Sequence, residues 1–193
     1  MISLDVMGAF DAAWWPCILN NLRNLRCPSD LYNLTRSYFS ERLAIWHANT
    51  YRIERKASRG CPQRSCSGPG FWNVMYDSLL NLEYSSHSKI IAFADDLVIL
   101  TYGNTHYEAE AYANADVAKI ENWARENKTQ FNESKSKAMR ITRKRRQAEI
   151  SIILNNRRLV QVKEIKYPGI LFDSKLTFNS HINYISEKAR KLV

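Results

Sequence analysis

The 193 residues include only 6 glycines and 5 prolines, too few for a collagen-like or low-complexity chain, and no internal repeat or linker-like stretch appears. Cysteine is also sparse. Cys17, Cys27, Cys61 and Cys66 form no Cys-x-x-Cys pair and the four histidines stand singly, so neither a zinc site nor a disulfide framework is expected, and reduced thiols of the cytosol or nucleus fit best. Long apolar runs are missing: the longest, Ile90 to Leu100, is interrupted by Asp95-Asp96 and falls short of the ~20 residues that span a bilayer. The opening Met1-Ile2-Ser3-Leu4-Asp5 has no basic segment followed by an apolar one, so no signal peptide is expected. Acidic residues are in deficit, 19 against 28 Lys and Arg, which gives +9 and a pI near 9.5 and points toward a polyanionic partner. With 45% hydrophobic and 24% charged residues, the chain can build a core and is expected to fold as one ordinary domain.

Ile2 to Val6 reads as a short buried strand. Trp14, Ile18 and Leu22 follow at helical spacing, then a helix over Ser29 to Phe39 with Leu31, Leu34 and Tyr38 on one face. Arg42 to Ala48 and Tyr51 to Ala57 read as a hairpin with Arg52, Arg55, Lys56 and Arg59 toward its far end. Phe71, Met75 and Leu79 predict a helix with Pro69 in its first turn. Lys89 to Ala94 and Leu97 to Thr101 read as strands about an Asp95-Asp96 tip, and Ala113, Val117, Ile120 and Ala124 predict a helix over Tyr107 to Asn127. Strands are expected at Lys137 to Thr142, Ile150 to Leu154, Arg158 to Val162 and Gly169 to Phe172, with a helix from His181. This order predicts an α+β fold, an antiparallel sheet with helices on one face.

Acidic residues inside apolar strands need a reason, because a buried ionised carboxylate must be paired, neutralised or metal-bound. Taken singly, Asp95-Asp96 reads as a hairpin turn and Asp5 as a helix cap. Taken together, the strand of Asp5 laid beside the hairpin brings three carboxylates to one sheet edge. Like charges so placed suit divalent ions, and two such ions form the clamp of in-line phosphoryl transfer.

Leu4-Asp5-Val6-Met7-Gly8-Ala9-Phe10-Asp11, Gly60-Cys61-Pro62-Gln63-Arg64-Ser65-Cys66-Ser67-Gly68-Pro69 and Phe93-Ala94-Asp95-Asp96, in that order, resemble the successive palm motifs of reverse transcriptases. Phe71-Trp72-Asn73 and Trp14-Trp15 resemble the non-LTR, LINE-type branch, particularly the arthropod type-1 elements. Phe131-Asn132-Glu133-Ser134-Lys135-Ser136 and Tyr167-Pro168-Gly169-Ile170 resemble that family's next two motifs. The resemblance covers nearly the whole chain and implies a polymerase palm-like fold.

It further implies that Asp5, Asp95 and, less directly, Asp96 are the catalytic carboxylates that hold metal, with the Val6 carbonyl a further ligand, and that two Mg²⁺ ions bind there, with Mn²⁺ able to substitute. Phe10 matches the aromatic gate under the incoming sugar, Gln63 a residue that touches the nucleotide, Lys135 the lysine that protonates the pyrophosphate, and Tyr167, Pro168 and Gly169 the primer grip. Arg64 stands where the family pattern has Gly, and Pro168 where it has Leu. Arg64 is therefore expected to crowd the nucleotide or template, and Pro168 to remove a donor from a strand. Lys135, Lys137, Arg140, Arg143, Lys144, Arg145 and Arg146, with Arg157, Arg158, Lys163 and Lys166, read either as a solvated face or as a phosphate-tracking surface.

The expected organisation is a palm over 1–178 without its fingers, and the start of a truncated thumb or connection helix over 179–193. The expected activity is that of an RNA-directed DNA polymerase, with an RNA template, a DNA primer and dNTP as partners, no membrane, and a nuclear or cytoplasmic ribonucleoprotein setting; the isolated fragment is expected to be inactive. The alternative is a catalytically dead remnant that binds nucleic acid through its basic surface. Another metal-dependent phosphoryl transfer leaves the motifs of Phe10 and Gln63 without a reason.

Overall fold

The computed structural model of the chain describes residues 1–49, 51–62, 64–144 and 148–191. In chain order the first elements are β1 (Ile2–Leu4), α1 (Ala9–Ala12), α2 (Trp15–Asn24), α3 (Ser29–Phe39), β2 (Leu43–Ala48) and β3 (Tyr51–Lys56). Then come α4 (Gly68–Leu80), β4 (Ser88–Phe93), β5 (Asp96–Thr101), α5 (His106–Glu126) and β6 (Lys137–Ala138). The last are β7 (Ile153–Leu154), β8 (Arg157–Arg158), β9 (Val160–Gln161), β10 (Glu164–Tyr167), β11 (Ile170–Asp173) and α6 (Asn179–Arg190). The α+β expectation holds. Two compact units form: Met1–Val6, Glu83–Asn122 and Gln130–Val193 make the first, Met7–Leu82 and Trp123–Thr129 the second.

The first unit is built on a five-stranded sheet of order β4-β5-β1-β6-β9, antiparallel except for the β6–β9 pair. Strand residues alternate faces, and the register Ile2↔Ile99, Leu4↔Leu97 and Ile2↔Ala138 gathers five fully buried side chains on one face. The other face carries the exposed Lys137, Phe93 and Asp96. Ala113, Val117 and Ile120 of α5 are buried, as their spacing predicts.

Several strands are shorter than expected, because other groups take their backbone. Glu110 accepts from Ser151 N–H at 2.8 Å and Asn114 from Ile153 N–H at 2.9 Å, which leaves only β7 of the segment from Ile150. Met139 still pairs with Met1, one step beyond Ile2↔Ala138, and further along Thr142 N–H goes to Ser174 C=O instead of a β1 partner. The segment from Arg158 changes partner at Leu159, whose N–H bonds Ile152 C=O; β8 pairs with β7 and β9 with β6.

In the second unit Asn21 is buried between α2 and α4, donating to Val74 C=O at 2.9 Å and Ser78 Oγ at 3.0 Å. Trp15 stacks on Phe39 at 5.1 Å and Phe39 meets Phe71 at 4.8 Å. Two faces differ from expectation. On α2 the buried positions are Trp15, Cys17, Ile18 and Asn21, not Trp14 and Leu22, because Trp14 is the extended N-cap and the helix begins at Trp15 with Pro16 in its first turn. On α3 only Phe39 is buried, and Leu31 and Leu34 are 55% and 67% exposed, since the helix docks by its aromatic end. The expected β2–β3 hairpin forms, with Arg55 and Lys56 at its far end as expected; Arg52, expected there too, lies next to the turn because it pairs with His47.

The β10–β11 register pairs Tyr167 with Ile170, so Pro168-Gly169 is the turn and no strand loses a donor, contrary to expectation. Proline followed by a residue of positive φ, here Gly169 at 83°, is the pattern of a type II turn. Pro168→Leu is therefore expected to destabilise by about 0.5–1 kcal/mol, through the freer unfolded chain. A proline that had cost a strand hydrogen bond would give the opposite sign, and urea unfolding distinguishes the two.

Candidate active site

Continued by one step, the β1–β5 register that ends at Leu4↔Leu97 sets Asp5 against Asp96. Asp96 pairs with Phe93 across the β4–β5 hairpin, so the tip is Ala94-Asp95, one residue earlier than the sequence suggests, and Ala94 has φ 54°. A left-handed first turn residue matches the twist of a two-residue hairpin. It leaves Asp95 at the tip and Asp96 on the strand, so the adjacent carboxylates do different jobs in the backbone. Asp95 and Asp96 are exposed and Asp5 is partly exposed.

Asp96 senses the other two carboxylates. Partial withdrawal from water holds the Asp96 carboxyl above its ordinary range, and the charges of Asp95 and Asp5 push it the same way. Among the described residues no three acidic, histidine or cysteine side chains form a ready-made metal cage. The donor set of Asp5, Asp95 and the Val6 carbonyl, all oxygen, fits Mg²⁺.

Around Asp5 the backbone is clasped. Its N–H donates to Ser136 Oγ at 3.0 Å and its C=O accepts from Asn132 N–H at 2.8 Å, while Val6 bridges Phe131. The clasping turn carries the exposed Lys135 and is shaped by Asn132 Oδ1, which accepts from Ser134 N–H at 3.0 Å and Lys135 N–H at 3.3 Å. Tyr167 donates to Ile91 C=O at 3.4 Å; burial and then the Asp96 charge raise its phenol above the ordinary range. The β10–β11 turn residues Pro168 and Gly169 are exposed. The first unit thus gathers Asp5, Val6, Asp95, Asp96, Lys135 and Tyr167.

Phe10 and Arg64 belong to the second unit. Phe10 lies in α1 with its ring 6.0 Å from Trp72, and its C=O accepts from Cys61 N–H at 2.7 Å. Gly60, at φ 97°, is the residue the next step requires: an added Cβ would stand 3.2 Å from the Asp11 carbonyl oxygen. Trp15 Nε1 closes the junction on Gly60 C=O at 2.8 Å. Gln63 lies outside the described residues. Arg64 is exposed with φ 64°. A left-handed backbone is thus a reason for the family's glycine at this position that the sequence alone did not supply.

Two features escaped the sequence reading. Phe93 is 62% exposed beside Asp96; an aromatic inside an apolar strand gives no sign of facing outward. Ser136 is 1% exposed between two lysines, and nothing in its neighbours signals burial. The basic surface is partly committed, since Arg157 pairs with Glu133 at 3.2 Å, Arg158 with Glu149 at 3.1 Å, and Lys166 lies 4.8 Å over the Tyr184 ring. Arg145 and Arg146 lie outside the described residues. Among the described residues no helix is long and apolar enough to cross a membrane.

The family model for reverse transcriptase, RNA-dependent DNA polymerase, matches residues 1–172. The chain belongs to the reverse transcriptase family. It is 30% identical over 190 residues to a 115 kDa protein in type-1 retrotransposable element R1DM of Drosophila melanogaster, covering 98% of this chain and 18% of that protein. It is 26% identical over 198 residues to a Pol polyprotein from type-1 retrotransposable element R1 of Bradysia coprophila, with coverage of 100% and 19%. To the RNA-directed DNA polymerase from mobile element jockey of D. melanogaster it is 28% identical over 196 residues, covering 98% of this chain and 21% of that protein. The chain thus spans about a fifth of these relatives' length. A solved apo telomerase from Candida tropicalis, truncated from its C-terminal domain, shares the fold at a TM-score of 0.57 and 9% identity, over 92% of this chain and 34% of that one. Reverse transcriptases use divalent metal ions.

Arg64→Gly is expected to stabilise the protein by about 1 kcal/mol, the usual cost of a left-handed backbone at a residue with a Cβ; urea midpoints at matched slopes check it. The raised Asp96 group means that the folded state holds this proton more tightly than the unfolded chain does. The group's contribution to stability therefore falls as pH rises through its folded value, and grows on acidification toward ordinary carboxylate values. Asp95→Asn should raise the melting temperature without metal near neutral pH and flatten this slope; an unchanged slope would show that the two carboxylates do not interact.

Proposed function

We propose that the chain is the palm portion of an RNA-directed DNA polymerase that adds deoxynucleotides to a primer 3′ end on an RNA template. One observation carries the reading: the β1–β5 register that sets Asp5 against Asp96 beside Asp95, with the Lys135 turn bonded to the backbone of Asp5.

In this reading Asp5, Asp95 and the Val6 carbonyl, with Asp96 less directly engaged, hold two Mg²⁺ ions, for which Mn²⁺ can substitute. When bound, such ions make the primer hydroxyl easier to deprotonate and offset charge on the transferring phosphate. The chain's own groups do the rest. The buried sheet face fixes the strand ends that carry the carboxylates. Lys135 supplies a proton to the departing pyrophosphate. Tyr167, Pro168 and Gly169 present a short turn to the primer end. Phe10, backed by Trp72, serves as the flat surface under the incoming sugar, and Gln63 and Arg64 act on the nucleotide. Lys137, Arg140, Arg143 and Lys144 contact template or primer phosphates, which fix register without reading sequence.

The test grafts residues 1–191 in place of the matching region of a complete non-LTR reverse transcriptase and measures primer extension on an RNA template. The graft is expected to extend primers, and Asp95→Asn within it to lose activity by a factor on the order of 100 or more, as removal of a charge-stabilising group does. A graft as inactive as its Asp95→Asn variant, while a graft of the same region from an active relative extends normally, would favour the dead remnant.

A further inference from the structure

Among the described residues, the hydroxyl of Ser136 is the one side-chain atom that joins the strand of Asp5 to the turn of Lys135. It accepts from Asp5 N–H at 3.0 Å and donates to Asn132 C=O at 2.7 Å. The Ser136 N–H reaches the same Asn132 carbonyl at 2.9 Å, and the Asn132 N–H returns to Asp5 C=O at 2.8 Å. These bonds make a closed ring of donors and acceptors about one residue. Ser136 is 1% exposed, so water cannot take over either bond when the hydroxyl is removed. Ser134, two residues earlier, also carries a hydroxyl on Asn132, at 2.7 Å to Oδ1, yet it is exposed and does not reach Asp5.

We infer that Ser136 is a positioning residue: its hydroxyl ties the backbone of Asp5 to the turn that carries Lys135, so that carboxylate and ammonium are set by one hydrogen-bond ring. The inference rests on the metal-holding role proposed for Asp5. Its physical basis is that β1 ends at Leu4, one residue before the carboxylate, so the register sets which way Asp5 faces while its own backbone is held by the Ser136 and Asn132 bonds. A carboxylate whose backbone can drift holds a metal ion less tightly, just as ligands that lose their supporting hydrogen bonds do.

The measurement is Mn²⁺ affinity of the purified chain, read from the electron paramagnetic resonance signal of free Mn²⁺, with urea unfolding of each variant alongside. Ser136→Ala is expected to weaken Mn²⁺ binding about tenfold, within the range typical of outer-shell substitutions. Ser134→Ala should leave the affinity unchanged, and Ser136→Thr, which keeps the hydroxyl, should restore most of it. Ala138→Gly, which lowers stability in the adjacent strand without touching Asp5, is the control for stability loss alone. Should Ser136→Ala melt too low to measure, Ser136→Cys, similar in size with a poor acceptor, carries the same expectation.

Unchanged affinity in Ser136→Ala, or an equal loss in Ala138→Gly at matched stability, would overturn the inference while leaving the metal site intact. Asp95→Asn keeps the two failures apart: if it binds Mn²⁺ as the unaltered chain does, the ion sits elsewhere and the reading of Asp5 falls first.

Discussion

The three residues of β1 bear most of the architecture that matters to the site. Ile2 and Leu4 are buried between β5 on one side and β6 on the other, so this short strand is an interior one with both backbone edges engaged. Because side chains alternate across a strand, a slip of one residue would turn Asp5 into the buried face and expose Leu4. The burial of two aliphatic side chains therefore dictates where a carboxylate can stand. Everything chemical in the first unit follows from that register: Asp96 opposite, Asp95 at the neighbouring tip, and the Asn132–Ser136 turn closing on the Asp5 backbone.

The arrangement sets fold stability against function. Partial withdrawal from water, and then the charges of Asp95 and Asp5, hold the Asp96 group above its usual range, which is a cost to the metal-free fold. The apolar sheet face beneath, with Leu4, Leu97 and Ile99 all fully buried, offsets it at roughly 1.5–3 kcal/mol per large aliphatic side chain. Charge that the fold alone would not choose is tolerated at the exposed rim, where solvent can reach it.

Turn geometry is used with the same economy. Ala94 at the carboxylate tip and Arg64 in the Gln63 segment both hold left-handed backbones without being glycine, and such conformations persist only where the surroundings over-determine them. Asn155 and Asn156, both with positive φ, make the two-residue connection of β7 and β8 with the residue type that tolerates it. Asn155 adds a side-chain bond to Phe131 C=O at 3.1 Å, which braces the turn that clasps Asp5. A hairpin far from the carboxylates in sequence thereby supports the site.

Much was legible in the residues alone. The period of Ala113, Val117 and Ile120 marked α5, the apolar runs marked β4 and β5, and the ordered carboxylate motifs placed the chain among the reverse transcriptases, because spacing and residue type are local properties. Tertiary structure decided the rest. It chose Ala94-Asp95 over Asp95-Asp96 as the tip, since the strand ladder and not turn propensity sets where pairing ends. It put Pro168 in a turn, exposed Leu31 and Leu34 where helical spacing predicts a buried stripe, and cut three strands short, because side chains of α5 and backbone groups far along the chain competed for the same donors and acceptors. It alone revealed Ser136, whose role depends on a partner 131 residues away that no local pattern can encode.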